Sequence, residues 1–485
     1  MARRLRSGLG PARGSCLGLP ETSAPAPRPG VSFASAPVLY FAARHDPAET
    51  IAAIAARTAE VTDHRMGSDQ PPSWRQLLSG FEVREVVPSA PETRLDARVA
   101  MTEALEAAGL EDFARSAASE GRSLTLVVND AHRFTDTRGF LDCVVAILDA
   151  RLAPDRHPPL RVLVATGSHI AGEPERRAHE AAMLGDHAGR IAEVAWHDAR
   201  SETALRSVGN TTLNAWMAEG GFYLACGSME PHYFAGVTGA HKTLTVGVMS
   251  MESLTANHEH ALSPAARPLK LDGNPVHVGI VDALADLEDS GARLLALNQV
   301  IVDGRIVAVT AGHPLEALGH GLPMVLECFG ASLEDSVDLV IAEVEAPLDR
   351  DFYQADKGIK NTEFAVRDDG VLLLEAACTR GVGIDHFVEL LRAAPTADDA
   401  RAVVEERGYR LGDHKAVRLR ALTDERGVRI GLISNGVPAE MADVLGIRIF
   451  PDRDSALAWA RETLDGEDLV AVVVHDAGNV ALEVA

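Results

Sequence analysis

Apolar runs of strand length alternate with helical stretches from about residue 95 onward, and this alternation is the feature that most constrains the fold. The runs are rich in the β-branched and aliphatic residues that favour strands. A repeated order of strand, helix and strand builds a mainly parallel sheet with helices on its faces. The first half of the chain predicts strands at 123–128, 160–165, 191–196 and 222–226 and helices at 140–151 and 173–184.

A second series of the same kind follows a predicted hairpin at 292–309, whose turn is Asp303-Gly304. It predicts strands at 336–344, 371–376, 428–434 and 469–474 and helices at 385–393, 438–445 and 455–464. Because 485 residues exceed what one compact core holds, more than one domain is expected. The predicted fold class is α/β, with two α/β domains that each contain a mainly parallel sheet.

Composition and pattern together suggest where the domains begin and end. Residues 1–45 form an N-terminal extension, whose first 37 residues are rich in Arg, Pro, Gly, Ser and Ala and lack periodicity. Such a composition predicts disorder, and a start codon assigned too early would give the same pattern. The predicted domains are 46–330 and 331–448. A C-terminal segment, 449–485, is expected to pack back on the first domain.

Charge and cysteine content narrow the class of protein. The chain has 46 basic and 70 acidic residues, a net charge of −24, which argues against nucleic acid or an anionic membrane as a general partner. No apolar run reaches the roughly 18 residues that a membrane span needs. The five cysteines are scattered without C-x-x-C spacing, which is typical of reduced thiols and predicts a cytoplasmic protein.

Polar loops follow three of the predicted strands in the first domain. The loops run from Asn129 to Arg133, from Thr166 to His169 and from Gly227 to His232. Parallel strands present their carboxyl ends at one edge of a sheet, and ligands bind at that edge in open α/β folds. Three such loops that carry an arginine and two histidines therefore predict a site there.

Each of these residues also has an ordinary structural interpretation. Arg133 could pair with a surface carboxylate, and His169 could cap a helix. The functional interpretation of Arg133 is a planar fork that holds a carboxylate or phosphate with two hydrogen bonds. His232 follows a proline, which suits a side chain that needs a fixed direction.

The segment from Glu230 to Lys242, followed by Asn257-His258, adds reactive groups to this site. Its glycines allow a backbone to approach a ligand closely. Lys242 and His258 could equally be solvated side chains, and His241 and His260 are expected to be solvated. Taken together, two histidines suit proton transfer on two faces of one carbon, and an arginine suits an acid substrate. A lysine suits a covalently held cofactor, and a further histidine suits nickel or zinc.

The chain resembles the lactate racemase family, whose members use a nickel-pincer nucleotide. The resemblance runs from about residue 95 to the C-terminus. Its motifs, in chain order, are Asp130-x-x-Arg133, Ala165-Thr-Gly-Ser-His169, Pro231-His-Tyr-Phe-Ala-Gly236, Gly239-x-x-Lys242, Asn257-His258 and Tyr353-Gln-x-x-Lys357. Shorter fragments also fit, namely His197-Asp198, Cys378-x-x-Gly381-x-Gly383 and Gly412-Asp-His-Lys415.

The resemblance implies an isomerase that inverts the C2 centre of a 2-hydroxy acid by reversible hydride transfer to the nucleotide. It implies that Lys242 holds the pyridinium ring of the cofactor covalently and that His258 binds nickel. Maturation enzymes that make the cofactor are then expected partners. His169 and His232 would be the two acid/base residues, exchanging roles in the two directions.

The remaining implied residues bind substrate and cofactor. Arg133 would hold the substrate carboxylate with help from Lys357 of the second domain, which predicts an active site in the cleft between domains. Tyr353 and Gln354 would line the substrate site. The ribose and phosphate of the cofactor would lie near Asp130, Gly236 and Gly239.

The sequence also departs from the family pattern. His132 and Phe134 stand where the family commonly has threonine and proline, and Thr238-Gly239-Ala240 replaces the common Ser-Gly-Gly. These changes alter the pocket walls, so an acid larger or more polar than lactate is expected. Alternatives are a sugar-acid 2-epimerase of the same family or a homologue that binds the cofactor or a ligand without turnover. A zinc hydrolase fits less well, because H-E-x-x-H is absent.

Overall fold

The computed structural model describes residues 73–92 and 94–484. The predicted disorder of residues 1–45 lies outside the described residues. No helix within the described ranges combines the length and the apolar character needed to cross a membrane.

The described strands follow the predicted series closely. They are β1 Phe81–Val86, β2 Leu124–Asn129, β3 Leu160–Ala165, β4 Ile191–Trp196, β5 Leu205–Val208, β6 Thr211–Asn214, β7 Phe222–Met229, β8 Pro231–His232, β9 Gly236–Val237, β10 Arg293–Val302, β11 Arg305–Gly312, β12 Gly330–Leu333, β13 Val337–Glu343, β14 Val366–Glu375, β15 Arg429–Ile433, β16 Arg448–Phe450, β17 Leu469–Val474 and β18 Ala481–Val484.

The described α-helices cover these strands and connect them. They are α1 Trp74–Leu77, α2 Ala97–Ala107, α3 Leu110–Ser119, α4 Thr137–Arg151, α5 Glu173–Leu184, α6 Ala240–Thr243, α7 Met251–Glu259, α8 Pro275–Asp289, α9 Pro314–Phe329, α10 Phe352–Thr362, α11 Asp385–Ala393, α12 Ala397–Arg407, α13 Asp413–Asp424, α14 Ala442–Leu445 and α15 Arg453–Thr463.

The first sheet has the order β11-β10-β7-β2-β3-β4. All neighbours are parallel except β10 and β11, which form the predicted antiparallel hairpin. The turn residues Asp303 and Gly304 both have positive φ angles, of 50° and 71°, as a tight hairpin turn requires. The carboxyl ends of β2, β3 and β7 therefore meet at one edge, as the sequence predicted.

Strand β2 shows why these strands are almost continuously apolar. Leu124, Leu126 and Val128 pack into one core layer, which includes the buried face of α4, and Val127 packs into the layer on the opposite face. A parallel strand covered on both faces needs apolar side chains at successive positions. Full burial of each leucine or valine side chain contributes about 1.5–3 kcal/mol, which fixes the sheet that carries the site.

The second sheet has the order β1-β17-β13-β14-β15-β16, and all of its neighbours are parallel. This confirms a two-domain α/β layout with mainly parallel sheets. Sheet membership differs from the predicted domain ranges in two places. Strand β1, from the range assigned to the first domain, lies in the second sheet, and β17, from the C-terminal segment, lies next to β13 in the same sheet.

The end of the chain contacts residues of the first domain. Strand β18 pairs in parallel with β12, and Ala481 packs in a cluster with Met229 and Val237. These contacts arise between residues far apart in the sequence, so periodicity alone gives no sign of them. The domain boundaries themselves stay a prediction.

Candidate active site

A cavity of about 170 Å³ opens at the carboxyl ends of β2, β3 and β7. Its walls come from the loops after these strands and from α6 and α7. Most of the residues that the sequence singled out line it, namely Asp130, Arg133, His169, His232, Gly239, Lys242 and His258. The walls thus combine three histidines with two cationic side chains in one small space.

His169 follows β3, and its imidazole has a fixed orientation. Its Nδ1 lies 2.9 Å from Oδ2 of Asp130, whose side chain is only 5% exposed. Because an ionised carboxylate only accepts hydrogen bonds, Nδ1 carries the proton and Nε2 keeps its lone pair. The carboxylate also stabilises the imidazolium that forms when Nε2 takes a proton, so His169 can act as a base.

Asp130 therefore has a different set of contacts from the one that the resemblance implied. Its two oxygens are used within the protein: Oδ2 contacts His169, and Oδ1 accepts a hydrogen bond of 3.1 Å from the backbone N–H of His132. These bonds tie the loop after β2 to the loop after β3. The geometry assigns Asp130 to orienting His169, while contact with a ribose or phosphate stays a prediction.

His232 is held in the opposite tautomer. Its Nδ1 accepts a hydrogen bond of 3.2 Å from the backbone N–H of Ala235, so Nε2 carries the proton of the neutral ring. Phe234 packs edge-on against the ring at 4.4 Å between centroids. Burial, together with the charges of Lys242 and Arg133, holds the pKa of His232 well below its usual value of 6.5. In this state His232 is a hydrogen-bond donor.

Lys242 lies on the short helix α6 behind the glycine loop. Its side chain is 8% exposed, and its Nζ makes no hydrogen bond or ion pair with any other residue in the described ranges. Burial, reinforced by the charge of Arg133, holds the pKa of Lys242 well below its usual value of 10.5. A lysine with a lowered pKa and no partner at the wall of a cavity can act as an amine nucleophile once it has lost its proton.

Two glycines let the backbone of α6 pack closely on the sheet. A Cβ at Gly227 would lie 2.4 Å from the backbone nitrogen of Ala240, so β7 accommodates only glycine there. Gly239 has φ of 153°, and a Cβ there would lie 3.0 Å from the side chains of Asn298 and His241. Gly236 has φ of 80° and packs on the backbone oxygen of Lys270, outside the cavity wall. Its contact with the cofactor stays a prediction.

His258 lies on α7 with its ring packed edge-on against Phe234 at 4.9 Å between centroids. Burial, with the charge of Lys242, lowers the pKa of His258 to about 3. The ring is therefore neutral at physiological pH, as a metal ligand must be. The preceding Asn257 has another role, because its Nδ2 donates to the backbone oxygen of Val276 and fixes α7 to α8.

Arg133 forms an ion pair of 3.1 Å with Glu230. The ordinary interpretation of this arginine was a pair with a surface carboxylate, but Glu230 lies in the loop after β7, beside the cavity. No role was predicted for Glu230 from the sequence. Its position in the same loop as His232 was the available signal, because such loops converge at this edge.

Helix α10 of the second domain carries the three residues that the resemblance assigned to the substrate, Tyr353, Gln354 and Lys357. Burial, with the charges of Arg133 and Lys415, lowers the pKa of Lys357 to about 7, so Lys357 lies within electrostatic reach of Arg133. Tyr353 and Gln354 begin the same helix, and none of these three residues lines the cavity described above. The Tyr353 ring instead packs against the Lys415 ammonium, 4.4 Å from the ring centroid. The N–H of Gln354 donates to the cap residue Asp351.

A buried histidine of the second domain joins the domains beside His232. Nε2 of His414 lies 2.9 Å from the hydroxyl of Tyr233, and its Nδ1 lies 2.7 Å from the hydroxyl of Tyr409. Arg418 also donates to the backbone oxygen of Tyr233. The loop that carries His232 is thus held between the domains, which agrees with a site in the cleft.

The prediction that His241 is solvated was wrong. The side chain is fully buried, and neither ring nitrogen has a hydrogen-bond partner within the described part of the chain. It packs edge-on against His277 at 5.7 Å between ring centroids. The one-turn helix α6 lies against the sheet on this side, so a residue next to Lys242 has no route to solvent.

The site fits a covalently held, metal-containing nucleotide in its chemistry. Lys242 offers a partnerless amine and His258 a neutral imidazole, and both line one cavity. Two models of known families match the chain. They are the lactate racemase N-terminal domain, at residues 77–268, and the lactate racemase C-terminal domain, at residues 334–481.

The chain belongs to the lactate racemase family.

Two lactate racemases are similar to it in sequence. The protein from Thermoanaerobacterium thermosaccharolyticum is 27% identical over 301 residues, which cover 60% of this chain and 68% of that protein. The protein from Lactiplantibacillus plantarum is 28% identical over 246 residues, which cover 49% of this chain and 56% of that protein. The lactate racemase family is known to use a nickel cofactor. Membership of this family supports racemase activity for the chain.

Solved structures support the fold. The lactate racemase apoprotein from T. thermosaccharolyticum superimposes with a TM-score of 0.72 at 22% identity, covering 83% of this chain and 95% of that one. A protein from Thermotoga maritima superimposes with a TM-score of 0.58 at 14% identity, covering 82% of this chain and 100% of that one. At these identities the likeness concerns the fold alone.

Proposed function

We propose that the protein is a racemase or epimerase that inverts the C2 centre of a 2-hydroxy acid. The observation that carries this proposal is the cavity in which the partnerless amine of Lys242 faces His169, His232 and His258. A nickel-pincer nucleotide bound to Lys242 and His258 would supply a hydride acceptor. Every other function in the reaction falls to side chains of this chain.

Arg133 and Lys357 bind the substrate carboxylate in this proposal. They come from different domains, so the carboxylate joins the two walls of the cleft and excludes water when it binds. Glu230 holds the Arg133 guanidinium in place before substrate arrives, at 3.1 Å. Since a guanidinium has five N–H donors, Arg133 can keep one bond to Glu230 and still offer two to the substrate.

The two histidines handle the hydroxyl proton. Nε2 of His169 accepts it from one enantiomer, with the resulting imidazolium stabilised by Asp130 at 2.9 Å. His232 lines the same cavity and starts as a donor from Nε2. It protonates the oxygen of the flat 2-keto acid as the hydride returns in the other sense; His232 then regains a proton from solvent while the His169 imidazolium releases one, so both rings return to their starting state.

The substrate is proposed to be more polar than lactate. Ser168 and Ser228 line the cavity beside the histidines, and their hydroxyls could bind additional hydroxyl groups of a substrate. This favours a sugar acid, with inversion at the carbon next to its carboxylate, as the second candidate. Among the positions that depart from the family pattern, Thr238 lines the cavity, which agrees with a substrate other than lactate.

The proposal is tested by co-expression with the enzymes that make the cofactor, followed by chiral chromatography of 2-hydroxy acids and sugar acids incubated with the protein. Inversion of at least one acid is expected from the matured chain and not from Lys242→Ala. The matched control is Lys360→Ala, which removes another buried lysine that pairs with Glu363 away from the cavity. No inversion of any acid by protein that carries the cofactor would refute the proposal.

A further inference from the structure

Three metal-binding side chains meet at the mouth of the cavity. They are Asp130, His132 and His169, and one donor atom from each lies within 4.8 Å of the others. The backbone N–H of His132 donates to Asp130, and the rings of His132 and His169 stand edge to face, 4.6 Å apart at 67°. The loops after β2 and β3 thus bring the three groups together without a metal.

The three donors differ in access to solvent in a way that suits a metal site. Asp130 is almost fully buried and is fixed by two hydrogen bonds. His132 is 42% exposed and His169 is 46% exposed, so an ion can reach them from solvent. Asp130 already orients the ring of His169, so two of the three donors are preorganised. This preorganisation lowers the entropic cost of coordination.

Two imidazoles and one carboxylate form a donor set that zinc commonly uses, with the fourth position left to water. Borderline divalent ions such as copper and nickel accept the same ligands. We propose that Asp130, His132 and His169 form a binding site for Zn²⁺ or a similar divalent ion. This site is separate from His258, and an ion bound there prevents His169 from acting as a base.

The consequence for activity follows from His169 itself. Coordination through Nε2 occupies the lone pair that would accept the hydroxyl proton, and coordination through Nδ1 breaks the hydrogen bond to Asp130, so either mode removes the base. Zinc should therefore inhibit inversion. This inhibition rests on the proposed function, whereas binding of zinc does not. His132 completes the ligand set, because Asp130 and His169 alone offer only two ligands.

Glu175 provides a matched control for His132. Its Oε1 lies 3.6 Å from Nε2 of His132, and it is about as exposed as that histidine, at 41%. It is a neighbouring carboxylate outside the set of three donors. Replacing Glu175 removes a negative charge near the ion without removing a ligand of the proposed site, so its effect measures the general electrostatic contribution alone.

The experiment is calorimetric titration of ZnCl₂ into the full chain purified without the nickel nucleotide. We expect one zinc ion per chain at this site, with binding at least about tenfold weaker in His132→Thr and in Asp130→Asn. Binding should persist in His258→Ala and change by less than about threefold in Glu175→Gln. Zinc binding to His132→Thr with the affinity of the unsubstituted chain, or no measurable zinc binding to the unsubstituted chain, would overturn the proposal.

A second measurement connects binding with activity. Added ZnCl₂ should inhibit inversion by the cofactor-loaded protein, and His132→Thr should need at least about tenfold more zinc for the same inhibition. If zinc inhibits the two proteins equally, the proposed loss of the base function of His169 is refuted. If the calorimetric result holds but no acid is inverted, the zinc site stands and the proposed function fails, so the two failures are distinguishable.

Discussion

Oδ2 of Asp130 lies 2.9 Å from Nδ1 of His169, and this one contact determines which nitrogen of the imidazole can act as a base. A different contact has the opposite effect on His232, where the backbone N–H of Ala235 donates to Nδ1. These two histidines of the cavity are therefore held in different tautomers. His169 is prepared to accept a proton and His232 to donate one.

Asp130→Asn tests the first of these contacts. The amide can still accept a hydrogen bond from Nδ1, but it carries no charge to stabilise the imidazolium. A charged hydrogen bond contributes about 1.5–3 kcal/mol, so kcat should fall roughly tenfold to a hundredfold. KM should change little, because the carboxylate of the substrate is held by other residues.

The measurement is kcat and KM for both enantiomers, with zinc excluded by prior dialysis. Asp136→Asn is a suitable control, since the side chain of that aspartate caps α4 by accepting from the N–H of Gly139. A kcat for Asp130→Asn equal to that of the unsubstituted protein would assign the contact to loop structure alone.

Arg133→Lys tests the carboxylate clamp. Lysine keeps the charge but cannot make a two-pronged contact, and losing one charged hydrogen bond costs roughly 1.5–3 kcal/mol in kcat/KM. Glu230→Gln tests the other partner of the arginine. It removes the carboxylate that holds the guanidinium in place at 3.1 Å, so the KM for substrate should rise.

Steady-state kinetics on the two single variants and the double variant distinguish the contributions. The effect of Glu230→Gln should vanish in the Arg133→Lys background if Glu230 acts through Arg133. Additive effects would mean that Glu230 influences substrate by another route.

Much of this architecture could be predicted from the sequence, and the reasons are local. Each strand before a site loop is a short apolar run, and the Asp303-Gly304 turn is set by two adjacent residues. The part that could not be predicted is non-local. Strand β1 pairs with β17 across most of the chain, and His414 meets Tyr233 from 181 residues away. Neither contact leaves a periodic signal.

The same distinction applies to the site. Loops after parallel strands converge by topology, so His169, His232 and Arg133 could be grouped from the sequence alone. Which partner each side chain takes within the group depends on rotamers and distances. The sequence therefore missed the ion pair of Arg133 with Glu230 and the contact of Asp130 with His169. It also misjudged His241, since no pattern shows that a one-turn helix is buried.

Lys357 predicts a pH dependence of substrate binding. Its pKa is lowered to about 7, mainly by burial. Below that pH the side chain is an ammonium that attracts a carboxylate, and above it the attraction is lost, so KM should rise as the pH increases through about 7. Lys357→Arg keeps its charge across this range and should give a KM that stays flat between about pH 6 and 9.

The measurement is KM against pH for the two proteins with one substrate. The ion pair with the substrate favours the charged lysine, so the pKa of Lys357 should be higher in the substrate complex than in the free protein. The midpoint of the pH dependence of the rate at saturating substrate should therefore lie above the midpoint for KM. A KM that rises equally in Lys357→Arg would place the titrating group elsewhere.

The opposite tautomers of His169 and His232 lead to the last prediction, which concerns the two directions of the reaction. Inversion needs a group that accepts the hydroxyl proton of one enantiomer and a group that returns a proton on the other side. His169→Ala and His232→Ala should each stop inversion in both directions, because the equilibrium constant does not depend on the catalyst.

The variants should differ in the first half of the reaction. His232→Ala keeps the base prepared by Asp130 and should still oxidise one enantiomer, whereas His169→Ala keeps only the donor, whose pKa burial holds well below 6.5. Rapid-mixing absorbance of the loaded protein with each enantiomer would report this half-reaction. Similar amplitudes in the two variants would show that the contacts of Asp130 and Ala235 do not divide the roles, and inversion near the original rate in either variant would rule out a mechanism with two histidines.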